Sequence, residues 1–383
     1  MKLALVHDYL NQYGGAERVL EQLHALYPAA PIYTSIFAPA RLPPHYRQLD
    51  VRPSFMQRLP GVHRHHQPYL LCYPFAFESF HLAEYDVVLS NSSAWAKGVL
   101  TPPETLHICY CLTPMRWAWS YREYVERERL GGLLRRALPL VIHYLRLWDV
   151  VSAQRVDRFV AISRAVAARI RKYYGREATI IYPPVEVERF TPRRTPDDFF
   201  LIVARLVPYK RVDLAVEAFN QLGWPLKIVG DGRDRPALQA RARPNIEFLG
   251  WLPDTAVRDL MARCRAFIFP GLEDFGIAPV EAQAAGRPVV AYAGGGALDT
   301  VIDGVTGVLF APQTAEALAE AVRRCADLTF DPLAIRAHAE RFSAATFRRA
   351  LGAFVEQAWA EHRQRGAAPL PPLPASAAEP AAR

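Results

Sequence analysis

Lysine is nearly missing from this chain. Only five of the 46 basic residues are lysine (Lys2, Lys97, Lys172, Lys210 and Lys227), so arginine carries the positive charge and a lysine inside a motif stands out. Cysteine is scarce too, with five in 383 residues. Cys72, Cys264 and Cys325 stand apart, while Cys109 and Cys111 lie one residue from each other. That spacing fits neither a zinc site nor a redox C-x-x-C, and reduced thiols in a cytosolic protein are the plain reading. Long apolar runs are absent. The best candidate, "ALPLVIHYLRLWDVV" at 137–151, is broken by His143, Arg146 and Asp149 and falls short of the ~20 residues a membrane span needs. The apolar start "MKLALVHDYLNQYGG" meets His7 and Asp8 within a few residues, so no secretory signal is expected. No G-x-G-x-x-G follows the first apolar run, which disfavours dinucleotide binding.

What is present suits a packed globular protein, with 51% hydrophobic and 22% charged residues. The length favours two domains. A net charge of +8 favours an anionic partner, whether phosphate, acidic lipid or nucleic acid. Nucleic acid is the weakest of these, because the arginines are dispersed and no recognition module is visible.

Short apolar runs alternate with helical patterns. "KLALVH", "PIYTSIF", "DVVLS", "TLHICY", "RFVAIS" and "ATIIY" predict strands, with helices clearest at 16–27 and 163–174, the latter capped by Ser163. "YPPVEVERFTPRRTP" at 182–196, with four prolines, predicts a break, after which "DFFLIVAR", "PLKIVG", "NIEFLG", "AFIFP", "RPVVAY" and "TGVLF" restart the alternation. The expected fold is α/β, with two doubly wound Rossmann-like domains facing a cleft at their strand C-terminal edges. The expected boundaries are 1–182, a linker at 183–196, 197–342, a closing helix at 343–365 and a disordered tail at 366–383.

Two segments carry candidate chemistry. "PGLEDFGIAPVEAQAAG" places Glu273 and Glu281 eight positions apart, after a predicted strand and around a helix start at which Pro279 fits the first turn. Glu281 is expected in that first turn, and amides from Phe275 through Gly276 and Ile277 to Ala278 offer an anion site. By spacing alone, the carboxylates could be a catalytic pair, a sugar-and-ribose clamp or solvated side chains. "VARLVPYKRVDLAVEAF" puts Arg205 at a strand end and Lys210 where a helix begins, a fork and a point charge suited to a diphosphate or simply two surface cations.

Together, the R-x4-K of Arg205 and Lys210 and the E-x7-E of Glu273 and Glu281 resemble the retaining GT-B glycosyltransferases of family 4. "VGDG", "FLGWLPD", "AAGRPVVA" and "GVTGVLF" are similar to that family as well. The resemblance implies that Glu281 grips the donor ribose, Glu273 contacts the transferred sugar, and Arg205 and Lys210 hold the diphosphate. It implies that Gly14 and Gly15 of "HDYLNQYGGAERVLE" form the glycine-rich loop that lets amides approach phosphate, although a plain turn explains the pair equally well.

The resemblance further implies same-face attack with no side-chain nucleophile. No metal or cofactor is expected: there is no D-x-D segment, and the protein cations replace a divalent ion. "SSAWAKGV" and "YCLTPMRWAWS" resemble bacterial polysaccharide and lipopolysaccharide mannosyltransferase-like members, whose usual histidine is Leu112 here. Thr113, Arg116 and His107 are the candidates to replace it, while Trp117 and Trp119 suit loop packing better than sugar stacking. The implied partners are a GDP- or UDP-sugar donor, mannose favoured, and a glycan or lipid-linked acceptor at the cytoplasmic face of the inner membrane. "RRALPLVIHYLRLW" at 135–148 suits an interfacial helix as well as a buried one. A donor-binding scaffold and an epimerase of the same fold stay open as alternatives.

Overall fold

The computed structural model describes residues 1–120 and 132–366, so most of the expected tail lies outside the described residues. Seven parallel strands form the first sheet: β1 (Leu3–His7), β2 (Ile32–Thr34), β3 (Val51–Pro53), β4 (Val87–Ser92), β5 (Leu106–Cys111), β6 (Arg158–Ala161) and β7 (Ala178–Ile180). Their order is β3-β2-β1-β4-β5-β6-β7. The second sheet holds β8 (Phe200–Val203), β9 (Leu226–Val229), β10 (Ile246–Gly250), β11 (Phe267–Phe269), β12 (Val289–Tyr292) and β13 (Gly307–Phe310), in the order β10-β9-β8-β11-β12-β13. Both sheets are doubly wound. The order in which strands are added reverses between β1 and β4 and between β8 and β11, with every strand still parallel, and there an open α/β sheet forms its ligand crevice. The short β3 carries no strand signal in the sequence.

Strands β1, β4 and β5 are buried along their whole length because helices cover both faces. Alternate residues divide between two cores, as the period of a strand requires. Leu3 and Leu5 join the helices Gly15–Leu26, Arg164–Tyr174 and Ala344–Gly366, whereas Ala4 and Val6 face the helices Cys72–Glu78 and Gly132–Gln154. The first of these cores continues without a break into the second sheet through Val185, Val187, Phe190 and Phe342. The proline-rich stretch after Tyr182 is therefore anchored: it contains a 3₁₀ turn, Val187–Arg189, and Val185 pairs with Ser343.

Local signals place the helices that frame the cleft. Ser163 Oγ accepts from the Val166 amide at 3.2 Å, and Gly175 ends the same helix in the left-handed region at φ 64°. All five cysteines are free thiols, as their spacing implied.

Candidate active site

Arg205 follows β8 and Glu273 follows β11, and these strands are neighbours at the switch point of the second sheet. Residues distant in sequence are therefore brought to one edge. Lys210 closes a 3₁₀ turn, Pro208–Lys210, and its ammonium donates to a Glu273 carboxylate oxygen. It precedes the helix Val212–Leu222 rather than opening it, because Arg211 stands between them with φ 53°. Arg205 is exposed and donates to Tyr209 Oη at 3.1 Å.

The helix after Glu273 is Ile277–Ala284. Pro279 occupies its first turn as expected, but Glu281 is its fifth residue and lies in the second turn, one turn further than the sequence suggested. Gly276 precedes this helix with φ 90°, and a Cβ there would meet the Phe269 ring at 2.9 Å. Only glycine fits that position without strain. Phe275 is buried and stacks on Tyr182, fixing the loop from below.

The glycine-rich first loop faces this helix from the other sheet. Gly14 precedes the helix Gly15–Leu26, and a Cβ on Gly15 would lie 3.0 Å from Ile277 Cδ1, so the two walls approach closely at Gly15. From the same helix, Arg18 donates to Glu281 at 2.9 Å. Burial pushes the Glu281 carboxyl up from its ordinary value, and the Arg18 guanidinium opposes that shift. Arg205, Glu281, Arg18, Ile277 and the exposed Trp251 border a cavity of about 410 Å³, which lies in the size range of small-molecule sites.

Several contributors escaped sequence reasoning. Asp274, beside Glu273, accepts from Arg116 at 2.7 Å and from Arg169, both on the opposite wall. Asp299 accepts from Arg164 Nε at 2.6 Å and Tyr182 Oη at 3.2 Å. These pairs, with Arg18 and Glu281, join the two sheets across the cleft. Their only sequence signal was the arginine content, which names no partner. The "AGGGAL" stretch was a readable signal: Gly296 N donates to Glu273 O at 2.9 Å, and a Cβ on Gly295 would collide with that oxygen at 2.1 Å. At the switch point of the first sheet, the buried Asp8 accepts from the amides of Ser93, Ala94, Trp95 and Ala96 at 2.6 to 3.0 Å. It holds the loop after β4 against β1.

Leu112 sits at the end of β5, half-buried against the shared core, with its amide donating to Ser92 O at 2.8 Å. Of the candidates to replace the expected histidine, Thr113 Oγ1 accepts from Arg169 at 3.2 Å and Arg116 reaches Asp274, so both belong to the cleft. His107 does not. It is fully buried within β5, 2.9 Å from Ser90 Oγ, and desolvation pushes its pKa down to about 3. Trp119 stacks on Tyr173 at 4.2 Å and donates to Asp149, and Trp117 packs against Trp95, which is the packing role expected.

Two facing doubly wound sheets with a charged crevice between them define the GT-B fold, and solved glycosyltransferases share it. The Anabaena protein HepE in complex with UDP superposes with a TM-score of 0.71 at 19% identity, over 93% of this chain and 100% of that one. The sucrose-phosphate synthase from Thermosynechococcus elongatus gives 0.68 at 18% identity, over 94% and 100%. In sequence, residues 13–189 match the model of Glycosyltransferase Family 4 and residues 186–342 that of Glycosyl transferases group 1, so the chain is built of two glycosyltransferase segments in succession. A glycogen synthase of Mycobacterium tuberculosis is 32% identical over 233 residues, 56% of this chain and 55% of that protein. An exopolysaccharide phosphotransferase of Streptomyces coelicolor is 31% identical over 69% of this chain and 28% of that one. The chain thus spans about half the length, or less, of these two curated relatives.

Proposed function

We propose that this protein is a retaining hexosyltransferase that moves a sugar, mannose favoured, from a nucleoside-diphosphate sugar to a glycan or lipid-linked acceptor in cell-surface polysaccharide synthesis. The observation that carries the proposal is that Arg205 and Glu281 border one cavity, while Lys210 pairs with Glu273 at the end of the strand neighbouring that of Arg205. The glycosyltransferase segments and the UDP-bound structural neighbour support it.

The reaction develops positive charge at the anomeric carbon and negative charge on the departing diphosphate. Arg205 and Lys210 are assigned to neutralise that diphosphate, together with the amides from Phe275 to Ala278. Lys210 is held by Glu273, so the ammonium is oriented before substrate arrives and loses little freedom on binding. Glu273 keeps a second carboxylate oxygen for hydroxyls of the sugar. Glu281 has the same arrangement toward Arg18, with one oxygen paired and the other free to accept from the ribose. No side-chain nucleophile is assigned, and a diphosphate oxygen takes the acceptor proton.

The test is a calorimetric donor screen with UDP- and GDP-sugars, followed by product analysis with and without chelator. Binding of a nucleotide sugar with transfer that survives chelator supports the proposal. Failure to bind any nucleoside diphosphate, or conversion of donor without acceptor, overturns it.

A further inference from the structure

The stretch "AAGRPVVA" has no part in the donor cleft. Gly286 follows the helix that carries Glu281, and Arg287 and Pro288 lead into β12. Arg287 therefore lies where a strand begins, at the sheet edge opposite the one that bears Arg205 and Glu273. Arg265 stands at the same edge ahead of β11, and Arg194 ahead of β8. Together the three arginines line a cavity of about 190 Å³, whose wall also holds Phe200, Leu328 and Phe330. No carboxylate of a described residue lines it.

Arg287 is only 3% exposed, a depth at which a cation ordinarily has an anion beside it. Its Nε donates to Ala262 O at 2.8 Å and its Nη2 to Arg193 O, both main-chain carbonyls. Among the described residues no carboxylate forms an ion pair with it. Carbonyls orient the guanidinium without cancelling its charge, and burial pushes its pKa down from the ordinary value. The wall thus contains a buried positive charge with donors already fixed in place.

The other two arginines add to that charge. Arg265 lies over the rings of Phe200 and Trp224, at 5.6 and 5.7 Å from their centres, which holds its planar fork. It pairs with Asp198 at 3.2 Å, but that carboxylate is exposed, and a pair in water is weak. Arg194 is exposed and bonds to no described residue.

Guanidinium forks match phosphoryl oxygens in pairs, so the chemistry that satisfies this lining is a phosphate. The volume lies below the ~300–1,000 Å³ of sites for drug-sized ligands, which leaves room for one phosphoryl group on a short carbon frame rather than for a nucleotide. We propose that this cavity binds a small anion through its phosphoryl group, away from the donor cleft, and that the anion clamps the starts of β8, β11 and β12 together. The site does not depend on the transferase function.

Calorimetry with inorganic phosphate and with glycerol 3-phosphate tests it, in about 0.15 M sodium chloride so that loose ion pairing is screened. The proteins are wild type, Arg194→Glu and Lys210→Ala. Wild type and Lys210→Ala should bind saturably, and Arg194→Glu should bind at least about tenfold more weakly. Phosphate should also raise the melting temperature of wild type but not of Arg194→Glu. Because Arg194 has no contact to lose, the variant's melting temperature without phosphate and its affinities for UDP and GDP should match those of wild type. Tighter binding of glycerol 3-phosphate would support the site as one for a phosphate monoester, and binding of inorganic phosphate as tight or tighter would support it as one for the free ion. Saturable binding of neither probe overturns the proposal, as does binding undiminished in Arg194→Glu. Binding lost in Lys210→Ala but kept in Arg194→Glu would place the phosphate in the donor cleft and overturn it as well.

Discussion

Replacing Glu281 by glutamine should move stability and ligand affinity in opposite directions. The carboxylate is desolvated in the cleft wall, and that burial outweighs the attraction of Arg18, so its folded-state pKa lies above the ordinary carboxyl value. An acid whose pKa is raised on folding binds more protons in the folded state. Its contribution to stability is present below the unfolded pKa and is lost as pH rises through the raised folded one. At neutral pH the native carboxylate is therefore a net cost to folding. Glu281→Gln removes that cost, and Arg18 keeps a partner in Asp254 at 3.9 Å. The variant should unfold at a higher temperature than wild type at neutral pH, with the advantage shrinking as pH falls through the carboxyl range.

Affinity should fall at the same time. A hydrogen bond to a charged group contributes ~1.5–3 kcal/mol, which corresponds to roughly 10- to 150-fold in Kd for UDP and GDP alike. Thermal melts across pH and calorimetry at neutral pH measure both quantities. Unchanged nucleotide affinity in a folded variant would show that Glu281 does not grip the ribose. A lower melting temperature at neutral pH would refute the desolvation reasoning.

Lys210→Ala should reduce turnover by about 10²–10³-fold, as loss of a donor to developing negative charge does, with a smaller effect on donor binding. Arg205→Ala should act in the same direction, and additive effects in the double variant would show that the two cations do not share one diphosphate. Asp274→Asn removes the carboxylate that Arg116 and Arg169 share, so it should cost about 1–3 kcal/mol and enlarge the radius of gyration in solution scattering; unchanged scattering would mean that these pairs do not hold the walls together. Leu112→His should alter turnover or donor-sugar preference while leaving UDP and GDP affinity unchanged. Indifference of an active enzyme to that change would assign the sugar contact to another residue, with Thr113 and Arg116 next to be replaced.

The sequence by itself determined the class of fold and the sheet edge at which Arg205, Lys210, Glu273 and Glu281 lie. Apolar runs alternating with capped helices can be buried only as a covered parallel sheet, and the restart after Pro196 makes two of them. Arg205, Lys210, Glu273 and Glu281 were readable because each lies near the end of a strand or the start of a helix, where chain direction fixes the edge a residue occupies. Local capping was legible at Ser163 for the same reason.

What depends on the orientation of one sheet toward the other was not legible. The partnership of Arg18 with Glu281, of Arg116 and Arg169 with Asp274, and of Arg164 with Asp299 follows no period, since each spans two separately folded layers. His107 was misjudged because nearness in sequence to Leu112 says nothing about depth: five residues along a buried strand carry a side chain from the cleft edge into the core. The tertiary structure also decided the fate of the 135–148 stretch, of which residues 138–148 have one face in the core and the other exposed. Its composition allowed either environment, and only the packing of Trp148 and Leu145 against the sheet fixes which side chains are left outside.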